Sequence, residues 1–194
     1  MPHTVAGDAV VLVRDAVGSP GELSAIAAIM SHYVRNTVVT FIESPPTVSD
    51  WAERYWDLAA RGLPFLVAEA DGDVVGFAYA APWRPKSAYR HTVENSIYLS
   101  PAATGLGIGT ALLERLIERS AAAGCRQLIA VIVDAGDPAS AKLHRRHGFS
   151  DAGRLHAVGF KHGRWLDTML LQRSLPEVCA TQQADRSDRD GAPA

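Results

Sequence analysis

One short segment constrains the fold of this chain more than any other. Thr104-Gly105-Leu106-Gly107-Ile108-Gly109 lies between the strand-like run Ser96-Ile97-Tyr98-Leu99-Ser100 and the amphipathic run from Thr110 to Arg119. A glycine-rich turn that opens a helix presents several unpaired backbone N–H groups in one direction. Together with the positive end of the helix dipole they make an anion site. Glycine matters there because a Cβ blocks close approach of a phosphate and forbids some of the dihedrals. Three glycines within the five residues 105–109 therefore predict a strand, a phosphate-holding turn and a helix in succession.

Two phosphate motifs are excluded by the residues themselves. A P-loop ends in Gly-Lys followed by Ser or Thr, whereas Gly109 is followed by Thr110 and Ala111. A dinucleotide fingerprint needs a glycine three residues after Gly109, where Leu112 stands. It also belongs at the start of a βαβ unit, and this turn sits mid-chain. The remaining reading is a loop for the pyrophosphate of a coenzyme A-type ligand.

The rest of the chain reads as alternating strands and helices that end in strands. Val10–Arg14 is a first strand. Ser19-Pro20-Gly21-Glu22 is a cap with proline at the first helical position. A second helix runs from Val48 to Arg61 and stops at Gly62. Phe65–Ala70 and Val74–Ala81 form a hairpin through Asp71-Gly72-Asp73. His91–Ser100 leads into the glycine turn. Gln127–Val133 is apolar throughout, as in a strand covered on both faces. Asp137-Pro138 opens a helix as N-cap and first residue. Arg154–Phe160 and Trp165–Arg173 close the domain. Residues 1–9 read as an N-terminal tail, 10–175 as one domain, and 176–194 as a polar, disordered tail.

At 194 residues, with 47% apolar and 21% charged side chains, the chain suits one domain with a sizeable core. A formal net charge of −2 gives no reason to expect nucleic acid as a partner. No apolar run approaches the ~20 residues of a membrane span, and Met1-Pro2-His3-Thr4 lacks a secretory pattern. A cytoplasmic location without membrane partners is expected. Cys125 and Cys179 lack metal-ligand spacing, and no metal is expected.

This order of elements, with a phosphate turn after the fourth strand, resembles the GNAT family of acetyltransferases. The family's loop pattern, Gln/Arg-x-x-Gly-x-Gly/Ala, maps onto Thr104, Gly107 and Gly109, with Thr in place of Gln or Arg. The resemblance implies an α/β fold with a mixed central sheet of about six or seven strands flanked by about four helices. It extends to the subfamily that acetylates phosphinothricin and methionine sulfoximine or sulfone. Thr92-Val93-Glu94-Asn95-Ser96, Gly159-Phe160-Lys161-His162-Gly163-Arg164-Trp165, His32-Tyr33, Thr40-Phe41, Pro45-Pro46-Thr47, and Trp83 followed by Ala88-Tyr89 all resemble that subfamily, in its order.

The resemblance implies acetyl-CoA as cosubstrate and a small-molecule amine as acceptor. Acetyl transfer needs a neutral amine, a held thioester and a stabilised oxyanion. Glu94 is the expected general base, sharing a strand face with Thr92, Ser96 and Tyr98. Backbone groups of Ile97, Tyr98 and Leu99 are expected to pair with the pantetheine arm like an added strand. Thr104, Gly105, Leu106, Gly107, Ile108, Gly109 and Thr110 would cradle the pyrophosphate. Asp137, where relatives carry asparagine, Ser140 and Arg146 would complete the cofactor site. His144 is a secondary candidate for proton transfer. The residue after Gly148 is Phe149, so the tyrosine that many relatives use as acid is missing. Phe41, Ser87, Ala88 and Tyr89 would contact the acceptor, with Arg84, Lys86 and Arg90 nearby. Ile42 stands where phosphinothricin-acetylating enzymes carry a basic residue, which argues against phosphinothricin itself. A homodimer is expected, with relatives pairing near the chain's end. The alternatives are another amine (peptide N-terminus, polyamine or antibiotic) or a coenzyme A-binding module without catalysis.

Overall fold

The structure is a computed structural model that describes residues 3–6 and 9–177. The expected tail from residue 178 onward lies outside the described residues. Among the described residues eight strands form one sheet. In chain order they are β1 (His3–Ala6), β2 (Ala9–Asp15), β3 (Phe65–Ala70), β4 (Asp73–Pro82), β5 (Thr92–Leu99), β6 (Gln127–Val133), β7 (Ser150–Lys161) and β8 (Arg164–Ser174). The helices are α1 (Pro20–Asn36), α2 (Val48–Ala60), α3 (Ile108–Ala122) and α4 (Ala139–Arg146). The spatial strand order is β1-β2-β3-β4-β5-β6-β8-β7. Every pairing is antiparallel except β5 with β6.

Local chemistry explains the boundaries. Ser19 caps α1 by accepting from the Glu22 N–H at 3.3 Å, with Pro20 following. Thr47 and Asp50 form a reciprocal capping box at the start of α2. Asp71 and Gly72 both have positive φ, 52° and 89°, the primed turn that matches strand twist between β3 and β4.

The two sheet faces carry separate cores. α3 covers one face, where Leu112, Leu113 and Leu116 meet Val11, Leu66, Ala78, Val93 and Leu128. α1 and α2 cover the other, where Ile26, Met30, Trp51 and Leu58 meet Phe65, Val67, Phe77 and Tyr79. Apolar positions alternate between these cores along β3, β4 and β5, which fixes their register.

Most boundaries agree to within a residue, and three differences from expectation bear on the architecture. His3–Ala6 pairs with β2, so part of the stretch read as a tail adds an edge strand to the expected mixed sheet. Strand β7 starts at Ser150, four residues before the expected Arg154. Register shifts at Asp151/Gly153 and Leu155/Gly159 interrupt its period-two pattern. Helix α4 has Pro138, not Asp137, at its N-cap. Asp137 sits one residue earlier, and its Oδ1 accepts from the Ala139 N–H at 2.9 Å.

Candidate active site

The site is where two neighbouring parallel strands part. β5 pairs with β6 only at Thr92–Gln127, Val93–Leu128 and Glu94–Ile129. Beyond that β5 runs on to Leu99 against β4, and β6 runs on to Val133 against β8. Between them opens a cavity of about 600 Å³, bordered by Glu94 to Leu99, Ala130 to Val133, the glycine turn and α4. The inward edges of both strands carry main-chain donors and acceptors with no partner strand, so an extended ligand can pair there as an added strand.

The glycine turn closes one end. Gly105 and Gly107 hold φ of +77° and +80°, the left-handed region where a side chain is strained. Gly107 is the N-cap of α3 and no side chain caps that helix. The first N–H groups of α3 are therefore left for a ligand. A Cβ at Gly109 would meet Leu143 at 3.5 Å and Leu99 at 3.8 Å, ordinary contact distances. Packing does not demand glycine at 109, which also borders the cavity; its missing Cβ leaves room at the helix start. These features fit a pyrophosphate.

Glu94 stands at the point of divergence. It faces the α1–α2 side, where Glu94, Ser96 and Tyr98 pair across from Ala81, Tyr79 and Phe77. Burial pushes its carboxyl above the usual range, and the Arg84 guanidinium opposes that shift. Arg84 lies 4.8 Å from the centroid of the Trp83 ring. Burial also raises the Tyr98 phenol, with Tyr79 adding to the effect, so it stays protonated at neutral pH. Tyr33 on α1 donates to the Leu99 carbonyl at 2.8 Å. That bond bears on one expectation, because it takes one of the two lone pairs of a carbonyl expected at the pantetheine arm. Of the three residues expected there, Leu99 has its carbonyl held by α1.

On the opposite face His144 is 4% exposed. Its Nδ1 is 2.8 Å from the Ser140 carbonyl and its Nε2 is 2.8 Å from the Asn95 side-chain nitrogen. A carbonyl accepts only, so Nδ1 carries the proton and Nε2 accepts from the Asn95 amide. The imidazole is neutral, with its pKa pushed down by burial first and against the pull of the Ser140 carbonyl. Phe149 packs edge-on against it at 4.9 Å. Asn95 Oδ1 is buried beside the cavity with no partner among the described residues.

Most expected residues meet here. Glu94, Ile97, Tyr98, Leu99, Thr104, Gly105, Gly107, Gly109, Thr110, Asp137, Ser140 and Arg146 border the one cavity. Leu106 is 45% exposed and the Ile108 side chain is buried in the α3 core, so neither side chain borders it and only their backbones can take part. Phe41, Ser87, Ala88 and Tyr89 lie outside it. Phe41 packs over Gly159, and Ser87–Tyr89 form a short 3₁₀ turn in the same connection as Arg84. Sequence reasoning did not single out Asn95 or Val39 and did not assign Tyr33 to the cavity. Asn95 had a signal, being the polar member of an otherwise apolar set with Val93, Ile97 and Leu99. Among the described residues no group of three or more His, Cys, Asp or Glu side chains is placed to hold a metal.

Comparison with known proteins fits this geometry. Residues 26–149 match the family model described as Acetyltransferase (GNAT) family. The chain is 49% identical over 154 residues to the phosphinothricin N-acetyltransferase of Alcaligenes faecalis, covering 79% of this chain and 78% of that protein. It is 41% identical over 165 residues to the L-methionine sulfoximine/L-methionine sulfone acetyltransferase of Pseudomonas aeruginosa, covering 84% and 94%. The crystal structure of a GNAT superfamily phosphinothricin acetyltransferase from Sinorhizobium meliloti in complex with AcCoA superposes with a TM-score of 0.80. That protein is 47% identical, with 85% of this chain and 88% of that one covered. A strand pair that parts over a cavity, a glycine turn at the mouth of a helix and these relatives converge: the chain belongs to the GNAT family of acetyltransferases.

Proposed function

We propose that this acetyltransferase transfers the acetyl group of acetyl-CoA to the primary amine of a small amino acid analogue, of the phosphinothricin or methionine sulfoximine/sulfone type. The observation that carries the reading is Glu94, a half-buried carboxylate with a raised pKa at the point where β5 and β6 separate. The named activities of the relatives at 49% and 41% identity support the acceptor class.

The reaction is direct attack in a ternary complex. Glu94 takes a proton from the substrate ammonium. The freed nitrogen attacks the thioester carbonyl, and the backbone N–H groups exposed on β5 receive the developing oxyanion. The C–S bond then breaks, and the proton still held by the new amide nitrogen passes to the departing thiolate. That route needs no protein acid, in keeping with Phe149 where many relatives carry tyrosine. His144, neutral and fixed by Asn95, is the secondary candidate for carrying a proton. Arg84, close enough to lower the Glu94 pKa, is placed to meet an anionic group of the acceptor.

The chain acts as a homodimer in this reading. β7 is an edge strand, exposed along most of its length, and it carries Leu155, Val158 and Phe160, with Trp165 beside it on β8. An exposed apolar edge strand is an aggregation hazard unless something covers it. No described helix is long and apolar enough to cross a membrane, and a cytoplasmic location goes with the small-molecule reading.

The test is release of free coenzyme A thiol from acetyl-CoA across phosphinothricin, methionine sulfoximine, methionine sulfone, common amino acids, an aminoglycoside and a polyamine. Turnover with the sulfoximine, sulfone or phosphinothricin that is lost in Glu94→Gln supports the reading. Tight acetyl-CoA binding without turnover on any amine overturns it.

A further inference from the structure

The Lys161-His162-Gly163 segment takes no part in the chemistry above, yet Lys161 is 4% exposed. It is the last residue of β7, and the hairpin to β8 turns through His162 and Gly163, with φ of +49° and +77°. A buried ammonium is costly unless it is satisfied. The Lys161 Nζ donates to the Thr40 carbonyl at 2.8 Å, 121 residues away in sequence. Thr40 is itself 7% exposed and belongs to the connection between α1 and α2. Its hydroxyl accepts from the Ile42 N–H at 3.3 Å and is near enough to the Tyr98 phenol on the cavity wall to lower the pKa of that group.

A second contact joins the same two segments. The ring of Phe41 sits so close over Gly159 that a Cβ there would be 2.2 to 2.5 Å from three of its atoms. A Cβ there would have to push the Phe41 ring aside, so Gly159 is a socket for Phe41. The hairpin thus grips consecutive residues, Thr40 by a hydrogen bond and Phe41 by a missing side chain.

We infer that Lys161 is a positioning residue that latches the α1–α2 connection onto the β7–β8 hairpin, setting Thr40 against Tyr98 and fixing the acceptor end of the cleft. The inference rests on the proposed placement of the acceptor beside Glu94 and Tyr98. The cofactor end, built from the glycine turn and α4, contains no part of the latch.

The test uses Lys161→Met, which keeps the aliphatic stem and removes the donor, Lys161→Arg, which restores a cation, and Gly159→Ala, which blocks the socket from the other side. Steady-state kinetics and hydrogen exchange of residues 38–43 are measured on each full-length protein. Lys161→Met raises KM for the acceptor about tenfold, as loss of one hydrogen bond to a charged group allows, Gly159→Ala raises it too by displacing the Phe41 ring, and KM for acetyl-CoA stays unchanged in both. Exchange of the Thr40, Phe41 and Ile42 amides rises in both, and Lys161→Arg recovers part of each effect. An unchanged acceptor KM overturns the inference, as does a matching rise in both KM values or unchanged exchange. Wild-type protein that acetylates no amine overturns the acceptor placement instead, and the exchange data then decide whether the latch exists.

Discussion

The two ends of the cleft are built on opposite principles. The proposed cofactor end is made mostly of main chain, and its working groups are backbone N–H donors at the start of α3 and along the free edges of β5 and β6. The proposed acceptor end is made of side chains from separate elements. Tyr33 comes from α1, Thr40 from the following connection, Arg84 from the β4–β5 connection, and Glu94 and Tyr98 from β5. A backbone site depends on φ and ψ and tolerates changes of side chain. A side-chain site depends on chemistry and on the packing that aims each group. One end can thus hold a constant cosubstrate while the other is retuned for different amines.

The comparison breaks first at Glu94. Replacing it with glutamine should lower kcat by about 10²–10⁴-fold, the usual contribution of a general base, while acetyl-CoA binding measured by calorimetry stays unchanged. In the wild type, kcat/KM should rise with pH through the raised carboxyl pKa, because only the carboxylate accepts the proton. The sign for stability is the reverse. A carboxyl whose folded pKa lies above its unfolded value favours the fold only while protonated, and that advantage fades as pH rises through the folded pKa. Glu94→Gln should therefore raise the thermal midpoint at pH 8, with the gain vanishing below the ordinary carboxyl value of 4.5. An inactive variant that is also less stable at pH 8 would mean Glu94 is a structural partner.

Gly107→Ala probes the cofactor end. A residue held at φ +80° carries about 1–2 kcal/mol of strain once it has a Cβ, so KM for acetyl-CoA should rise about tenfold. KM for the amine should not move. A rise in both would show that the glycine turn also shapes the acceptor end.

Tyr33 lies at the boundary between the two ends, since its hydroxyl donates to Leu99 on the pantetheine side and its ring lies 5.3 Å from Tyr98 on the acceptor side. Tyr33→Phe removes one neutral hydrogen bond, worth about 1 kcal/mol, and frees the Leu99 carbonyl. The expected outcome is a fall of about fivefold in kcat/KM for both substrates, checked by initial rates with each varied in turn. An effect on one substrate alone would assign Tyr33 to that end.

The same division governs what could be read in advance. The glycine turn before α3, and β3 and β6 to the residue, were legible because each is local. Spacing, turn chemistry and period-two patterning are properties of neighbours in sequence. Lys161 beside Thr40, and Asn95 beside His144, are meetings of residues 121 and 49 positions apart, and no local pattern encodes a partner at that distance. The early start of β7 was hidden for a different reason. Its bulges remove the alternation on which strand recognition depends.

The smallest expected effect is at Thr104, where the family pattern carries Gln or Arg. The Thr104 hydroxyl is 2.9 Å from the Pro101 carbonyl, to which it donates, so it is turned back on its own turn rather than spent on a ligand. Thr104 is exposed and borders the cavity. Removing one exposed local hydrogen bond is worth about 0.5 kcal/mol or less, so Thr104→Ala should change KM for acetyl-CoA less than about threefold. A backbone-built phosphate site makes that prediction, because its donors at Gly107, Ile108 and Gly109 are untouched. Thr104→Gln makes the converse test. If the longer amide tightens acetyl-CoA binding by calorimetry, the turn has an unfilled position for a side-chain donor. If it leaves binding unchanged, the backbone N–H groups of α3 already saturate the phosphates, and the first position of the pattern is dispensable in this chain.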